Sequence, residues 1–309
     1  MPKYCELADY GLIGYSGDDA RTFLHNQLTC DVEALDVRRS AYGSYCTPKG
    51  RILATFLLWR TAEGYTMQLP ATLRESIQKR LAMYVLRSKV KVEDVGPRYT
   101  IAGVSGADAT SHLQRIFGAV PPNEHQLIAT SDATVVRLPG ARYEVLLPKD
   151  SDPATVEKLK TGTDLMSPDH WSWLDIRAGV PVITPPTQEQ FVPQMVNMDL
   201  IGGLSFSKGC YPGQEIVART HFLGRLKQRM YLAHLSAGEP RPGDKLYSAD
   251  LGSQASGTIV NAAPAPEGGF DALAAMQIAA AKSDAVHWKA PDGPELKLLP
   301  LPYEVTSDQ

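Results

Sequence analysis

Reactive side chains concentrate in one stretch, residues 208–220, which reads Lys-Gly-Cys-Tyr-Pro-Gly-Gln-Glu-Ile-Val-Ala-Arg-Thr. It contains a thiol, two cations, two glycines and a carboxylate. Pro212 is typical of the first turn of a helix, where its missing N–H is not needed, and Glu215 is stabilised at the positive end of that helix. The pattern therefore predicts Cys210 just ahead of a helix N-terminus. A thiol placed there, with Lys208 nearby, is the kind that reacts as a thiolate.

Cys210 also has a simpler interpretation. A free cysteine is commonly a small buried hydrophobic side chain, and residue types alone leave the two interpretations about equal. The cysteines lie far apart and form no C-x-x-C pair, which argues against a structural zinc site or a disulfide framework; they are Cys5, Cys30, Cys46 and Cys210. The seven histidines show no ligand-like spacing. We therefore expect no metal site.

The composition is that of an ordinary globular protein: 309 residues, 43% hydrophobic and 21% charged, enough for two or three domains. No run approaches the roughly 20 apolar residues of a membrane span. Residues 1–6 have neither an apolar signal core nor an Arg-rich presequence, so we expect a cytoplasmic protein with reduced cysteines. We also expect a monomer. Because the net charge is −3, contact with nucleic acid would need a local basic patch.

Two parts of the sequence repeat. Residues 14–20 read Gly-Tyr-Ser-Gly-Asp-Asp-Ala, and residues 103–109 read Gly-Val-Ser-Gly-Ala-Asp-Ala, at an offset of 89. Residues 65–70 and 143–148 form a second echo. Coincidence between two similar turns is the alternative, but the second echo favours a duplicated chain.

Each copy shows the pattern of a small α+β unit. In the first copy, a short strand is predicted to end at Tyr15, and a helix follows whose apolar positions Ala20, Phe23, Leu24 and Leu28 share one face. Farther along, β-rich runs predict strands at 41–47, 52–59, 65–69 and 89–95, and an apolar stripe that includes Tyr84 predicts a helix over 71–86. This order matches a β-α-β-β-α-β unit of the ferredoxin-like type. Two such units predict an α+β fold with a pseudo-duplicated core.

The last third of the chain has a different texture. Residues 184–206 are rich in Pro, Gly, Gln and Asn, which predicts a long ordered loop leading to the 208–220 stretch. From residue 226, short β-type runs between Pro/Gly turns predict a small antiparallel barrel. The run 270–281 is also good helix material, but we assign a strand because its neighbours need a partner. The predicted domains are 1–97, 98–225 and 226–309.

The stretch Lys-Gly-Cys-Tyr-x-Gly-Gln-Glu, with a basic residue four positions after the Glu, resembles the signature of the YgfZ-type folate-binding proteins. These are relatives of the aminomethyltransferase (T-protein) of the glycine cleavage system and are implicated in tRNA modification and iron–sulfur protein maturation. Residues 47–51, Thr-Pro-Lys-Gly-Arg, resemble the Lys-Gly-Arg turn of the family. Residues 174–179, Leu-Asp-Ile-Arg-Ala-Gly, resemble the Leu-Arg-Leu-Glu-Ala-Gly segment of the T-proteins.

The resemblance implies two ferredoxin-like units with a folate-type cleft between them, and a carboxy-terminal barrel. It implies Cys210 as the functional (catalytic) thiol and Cys46, three residues before the Lys-Gly-Arg turn, as a possible redox partner. The expected cleft is positive and suits an anionic ligand such as the glutamate tail of a folate. Its expected ligand-binding residues are Lys49, Arg51, Arg177, Lys208, Tyr211, Gln214, Glu215 and Arg219.

The sequence departs from the T-protein pattern in two places. Leu53 and Ala54 stand where T-proteins carry the aspartate pair of their aminomethyl chemistry, and Arg177 stands where they carry the glutamate that holds the pterin. A guanidinium only donates hydrogen bonds and cannot accept those of a pterin edge. We therefore expect an accessory protein of iron–sulfur cluster assembly or repair, and thereby of tRNA modification. It would bind tetrahydrofolate or a related folate, act on iron–sulfur client or assembly proteins, and transiently hold iron–sulfur species.

Two alternatives remain open at this point. One is a tetrahydrofolate-dependent aminomethyl- or methyltransferase acting on a small amine; Asp31, Asp175 or Glu215 could supply a base, but no spacing selects one of them. The other is direct tRNA contact through a basic run with interleaved aromatics, although such a run is more often a solvated face. That run comprises Arg219, His221, Phe222, Arg225, Lys227, Arg229 and Tyr231.

Overall fold

The structure is a computed structural model that describes residues 1–222, 226–282 and 285–305. It divides into two compact units. The first contains Met1–His25, Val32–Ala41 and Phe56–Trp171; the second contains Asn26–Asp31, Tyr42–Thr55 and Ser172–Gln309. Over the described ranges, no helix has the length and apolar character needed to cross a membrane.

The first copy of the duplication follows a short strand, β1 (Lys3–Glu6). It contains β2 (Tyr10–Ser16), α1 (Ala20–His25), β3 (Ser40–Cys46), β4 (Ile52–Arg60), β5 (Gly64–Pro70), α2 (Ala71–Ala82) and β6 (Lys91–Asp94). The strands form one sheet in the order β3-β4-β5-β2-β6. With α1 and α2, the strands β2, β4, β5 and β6 make the expected β-α-β-β-α-β unit, and β3 is an additional edge strand.

The second copy follows a 3₁₀ turn at Gly96–Arg98. It contains β7 (Tyr99–Ser105), α3 (Ala109–Phe117), β8 (Leu127–Ala129), β9 (Thr134–Leu138), β10 (Arg142–Pro148), α4 (Pro153–Lys160) and β11 (Asp164–Leu165). The sheet order is β11-β1-β7-β10-β9-β8. Strand β1 pairs antiparallel with β7, as β6 pairs with β2 in the first copy. The amino-terminal strand therefore completes the second sheet.

Strand register confirms the duplication. Tyr10 of β2 lies opposite Pro70 of β5, and Tyr99 of β7 lies opposite Pro148 of β10. The turn glycines that follow β2 and β7, Gly17 and Gly106, have φ of 109° and 100°. Such φ values favour glycine, so the same residue recurs for the same reason.

Helix α2 ends four residues before the predicted limit of 86. The apolar stripe holds as far as Leu81, which is fully buried. Beyond Ala82 the chain turns, and Leu86 has a left-handed backbone with φ of 48°. That conformation cannot continue a right-handed helix. Tyr84, predicted on the buried stripe, is 44% exposed as a result.

The remainder of the chain begins with α5 (Pro168–Arg177), which ends before Gly179. A loop with 3₁₀ turns at Pro185–Thr187 and Pro193–Val196 leads to α6 (Gln214–Phe222). Then follow β12 (Gln228–Leu235), β13 (Lys245–Ser248), a 3₁₀ turn (Ala249–Leu251), β14 (Ala255–Pro264), β15 (Phe270–Gln277), α7 (Ile278–Lys282), β16 (Val286–Trp288) and β17 (Lys297–Leu299).

The carboxy-terminal strands form a curled antiparallel sheet in the order β16-β13-β14-β15-β12-β17. An isolated bridge between His287 and Glu295 joins β16 to the segment that enters β17. The sheet curls around a core that includes Leu246, Ile259 and Met276. The predicted strand over 270–281 ends at Gln277, where the short helix α7 begins.

Candidate functional site

The turn between β3 and β4 forms one side of the candidate site. The N–H of Thr47 donates to the carbonyl of Arg51 (2.8 Å), and the N–H of Gly50 donates to the carbonyl of Thr47 (2.9 Å). Nη1 of Arg51 donates to the carbonyl of Gln190 (2.9 Å). Lys49 is exposed at the tip. The turn is thus fixed on itself and tied to the long loop.

The signature stretch packs against this turn through two glycines. Gly213 has φ of 85°, and a Cβ on it would lie 2.5 Å from the carbonyl oxygen of Thr47 and 2.6 Å from Cα of Gly50. Such distances leave no room for any side chain at position 213. Helix α6 therefore begins at Gln214. Pro212 was predicted in the first helical turn, but it lies in the turn that precedes the helix. Glu215 does lie in the first turn of α6.

Lys208 is buried and holds the signature loop in place. Its Nζ donates to the carbonyl of Leu28 (2.5 Å) and lies 5.0 Å from the ring centroid of Tyr211. The N–H of Ser205 donates to the carbonyl of Thr29 (3.0 Å). These contacts join the loop to residues 28–29, next to Cys30. The ammonium of Lys208 is therefore occupied within the protein rather than directed to solvent.

The cysteines differ sharply in exposure. Cys210 is exposed, whereas Cys5, Cys30 and Cys46 are buried, and all four are free thiols. Burial raises the pKa of Cys30 to about 12, although the charge of Lys208 opposes the effect. Burial also raises the pKa of Cys46 and of Tyr211, and Cys46 adds to the shift at Tyr211, so this thiol lies near the Tyr211 phenol.

We expect alkylation of the native protein to modify Cys210 alone. At pH 8 a thiol with the pKa of Cys30 has a thiolate fraction of about one in ten thousand, and burial blocks the reagent as well. Iodoacetamide followed by peptide mass spectrometry measures this, with urea-unfolded protein as the control in which all four sites react. Equal labelling of Cys30 or Cys46 in the native protein would contradict the buried placement.

Arg177 contacts the carboxy-terminal sheet. Its Nη1 lies 3.6 Å from Oδ2 of Asp271, and its guanidinium lies 6.0 Å from the ring centroid of Trp173. Asp271 is buried and also accepts hydrogen bonds from Nε1 of Trp173 and, at 2.8 Å, Nδ1 of His234. Arg177 remains 40% exposed. Part of its guanidinium is therefore still open to a ligand.

The other predicted residues of α6 lie on its exposed or half-buried sides: Gln214 is half-buried, and Glu215 and Arg219 are exposed. Leu53 and Ala54, the positions where the resemblance to the T-proteins implies an aspartate pair, are buried in β4. No group of three or more His, Cys, Asp or Glu side chains is arranged to hold a metal ion in the ranges that the structure describes.

The basic run considered for RNA contact is only partly exposed to solvent. Arg229 is 5% exposed, and its Nη1 contacts Oδ1 of Asp199 (2.7 Å) and the carbonyl of Gln194 (3.0 Å). Arg229 forms a buried ion pair, so it does not contribute to an exposed basic surface in this run. Arg225 and the side chains of His221 and Phe222 lie outside the described residues.

Sequence reasoning missed the polar network that shapes the 184–206 loop. Asn197, fully buried with φ of 59°, donates from Nδ2 to the carbonyl of Met230 (2.8 Å) and accepts from its N–H. Nε2 of Gln194 donates to the carbonyl of Val217 in α6 (2.7 Å). The hydroxyl of Tyr303 donates to the carbonyl of Gly179 (2.8 Å). Buried amides need partners, but the sequence does not show which ones.

The two copies of the duplication line a solvent-open pocket of about 250 Å³. First-copy residues Trp59 and Thr66 line it together with second-copy residues Tyr99 and Thr134. None of the predicted site residues is part of its lining.

Comparison with known proteins places this geometry in a family. The model of the GCVT N-terminal domain matches residues 4–157. The chain is 30% identical to the tRNA-modifying protein YgfZ of Sodalis glossinidius (strain morsitans), over 97% of this chain and 92% of that protein. It is 28% identical to the protein of the same name from Serratia proteamaculans (strain 568), over 98% and 93%.

A solved structure shows the same fold. The glycine cleavage system aminomethyltransferase T from Bartonella henselae superposes with a TM-score of 0.74 at 17% identity, covering 97% of this chain and 86% of that one. The sequence relatives, the domain match and the fold agree. The chain belongs to the YgfZ-type family of GCVT-related proteins.

Proposed function

We propose that this protein is a folate-dependent accessory factor that supports iron–sulfur cluster assembly or repair, and through it the modification of tRNA. The relatives named above are called tRNA-modifying proteins. In our proposal Cys210 is the reactive thiol, and a folate bound beside the signature loop controls access to that thiol. Iron–sulfur species are cargo that Cys210 receives from, or returns to, a partner protein.

The exposed thiol of Cys210 is the observation that carries the proposal. It lies four residues before α6 on a loop that is anchored on both sides. Lys208 fixes the loop ahead of it through Leu28, and Gly213 fixes the loop behind it against the turn at Gly50. An anchored backbone that presents a thiol to solvent suits a role in transfer chemistry better than a role in core packing.

The available donors suit the anionic tail of a folate. Lys49 is exposed, Arg51 is half-buried, and Arg177 is 40% exposed, so each can offer N–H groups to a carboxylate. Arg177 is less suited to binding the pterin ring, because a guanidinium accepts no hydrogen bonds. Lys49 and Arg51 would thus hold the tail, while a bound folate would supply a redox-sensitive pterin near the signature loop.

Calorimetric titration of anaerobic protein with tetrahydrofolate tests this function, with aminomethyl transfer assayed in the same preparation. We expect binding without turnover. We also expect Arg51→Met to weaken binding about tenfold, the loss of one charge-assisted hydrogen bond. Lys297→Met, which removes an exposed cation from β17, is the matched control and should bind normally. Absence of binding would contradict the folate proposal.

The transferase alternative has one observation in its favour, the fold shared with the aminomethyltransferase from Bartonella henselae. Against it, Leu53 and Ala54 are buried hydrocarbon where a carboxylate pair would be needed. Turnover of an aminomethyl donor in the assay above would select this alternative.

A further inference from the structure

The connection between α2 and β6 differs between the two copies of the duplication. In the first copy it runs over residues 83–90; in the second, α4 and β11 are joined by residues 161–163 alone. The second copy has no equivalent of the α2–β6 connection, because β1, the antiparallel partner of β7, comes from the amino terminus. Residues 83–90 are therefore particular to the first copy.

The connection of residues 83–90 exposes large apolar side chains. Met83 is 67% exposed, Tyr84 44% and Leu86 86%. The segment is not frayed, since the N–H groups of Tyr84, Val85 and Ser88 donate to the carbonyls of Leu81, Ala82 and Val85. Contiguous exposed apolar residues in a fixed turn are typical of an interaction site.

The same segment is cationic. Residues 76–92 contain no Asp or Glu. Lys79 and Lys89 have ion-pair partners in Glu75 and Asp18. Arg80 and Arg87 flank the apolar side chains on either side in sequence, and Arg87 is exposed. We name Arg80, Met83, Tyr84, Leu86 and Arg87 the α2 patch.

We propose that the α2 patch docks a partner protein that presents an apolar pocket rimmed by Asp and Glu. Met, Tyr and Arg are the residues enriched at protein interfaces, and Tyr and Arg dominate their binding energy. RNA fits less well, because single-stranded RNA binds through stacked aromatics and Tyr84 is the single aromatic in the patch. The carboxylates paired with Lys79 and Lys89 also reduce the positive electrostatic potential that would attract RNA or an anionic membrane.

Selection from a displayed random-peptide library on the full-length protein tests the proposal, with counter-selection against Leu86→Ser. We expect enriched peptides that carry a large apolar residue flanked by Asp or Glu. A synthesised peptide should bind the wild-type protein about tenfold tighter than Leu86→Ser or Arg87→Ala. Leu165→Ser is the matched control, because Leu165 is 82% exposed in β11, outside the α2 patch.

Three results would overturn the proposal: no enrichment, enriched peptides without acidic residues, or equal binding to Leu86→Ser. Bulk tRNA and phosphatidylglycerol vesicles are titrated in parallel. If either binds the wild-type protein and loses that binding in Leu86→Ser, the patch docks a different class of partner and the proposal fails. The variants are compared only where their melting temperatures match the wild type, and Arg87→Ala, an exposed polar position, provides a second test if Leu86→Ser is unstable.

Discussion

Cys210→Ser is expected to remove the biological function while leaving the protein folded. The side chain is exposed, so the sulfur-to-oxygen change costs little free energy of unfolding. A serine hydroxyl does not supply the nucleophilic, metal-binding thiolate that a cysteine can supply. The measurement is rescue of a strain that lacks this gene, scored by the activity of an iron–sulfur enzyme at matched expression.

The other cysteines provide the controls for that experiment. Cys5→Ser should rescue fully, because Cys5 lies in β1, in the unit that does not contain the signature. Cys46→Ser tests the proposed redox partner: since Cys46 is buried near Tyr211, partial loss of rescue with unchanged stability would support it. Full rescue by Cys210→Ser would end the thiol proposal.

Gly213→Ala is expected to destabilise the protein by about 2–5 kcal/mol. A left-handed backbone costs an alanine about 1–2 kcal/mol, and overpacking against fixed backbone adds about 1–3 kcal/mol. The added methyl would meet the Thr47 carbonyl and Gly50, so the turn and the signature would have to separate. Urea unfolding of the purified variant measures the change, and tetrahydrofolate titration reports on the site.

Gly202→Ala separates the two costs. Gly202 has φ of 75°, but a Cβ there would have nothing within 4 Å, so only the backbone cost of about 1–2 kcal/mol applies. We expect normal folate binding in this variant and weakened binding in Gly213→Ala. Equal stability of the two variants would show that the turn yields to the methyl and that the close approach at Gly213 is not rigid.

The local elements and the duplication could be predicted from the sequence. The strands β2 and β7 and the glycines after them could be predicted because alternation, turn chemistry and an offset of 89 are properties of neighbouring residues. The signature helix could be predicted for the same reason, apart from its first two residues. Pro212 favours a helix start, but the close approach of Gly50 imposes a non-helical φ on Gly213 and delays α6 to Gln214.

Which cationic side chains are exposed at the surface depends on tertiary packing. Lys208, Arg177 and Arg229 are equal cations in the sequence, yet Leu28 and Tyr211 bury the first, Asp271 holds the second, and Asp199 neutralises the third. Apart from Tyr211, which follows Lys208 closely in sequence, these partners lie between 30 and 180 positions away along the chain. Contacts at such separations form only when the elements pack together. The residues next to each cation in the sequence therefore do not reveal whether that cation is buried or exposed.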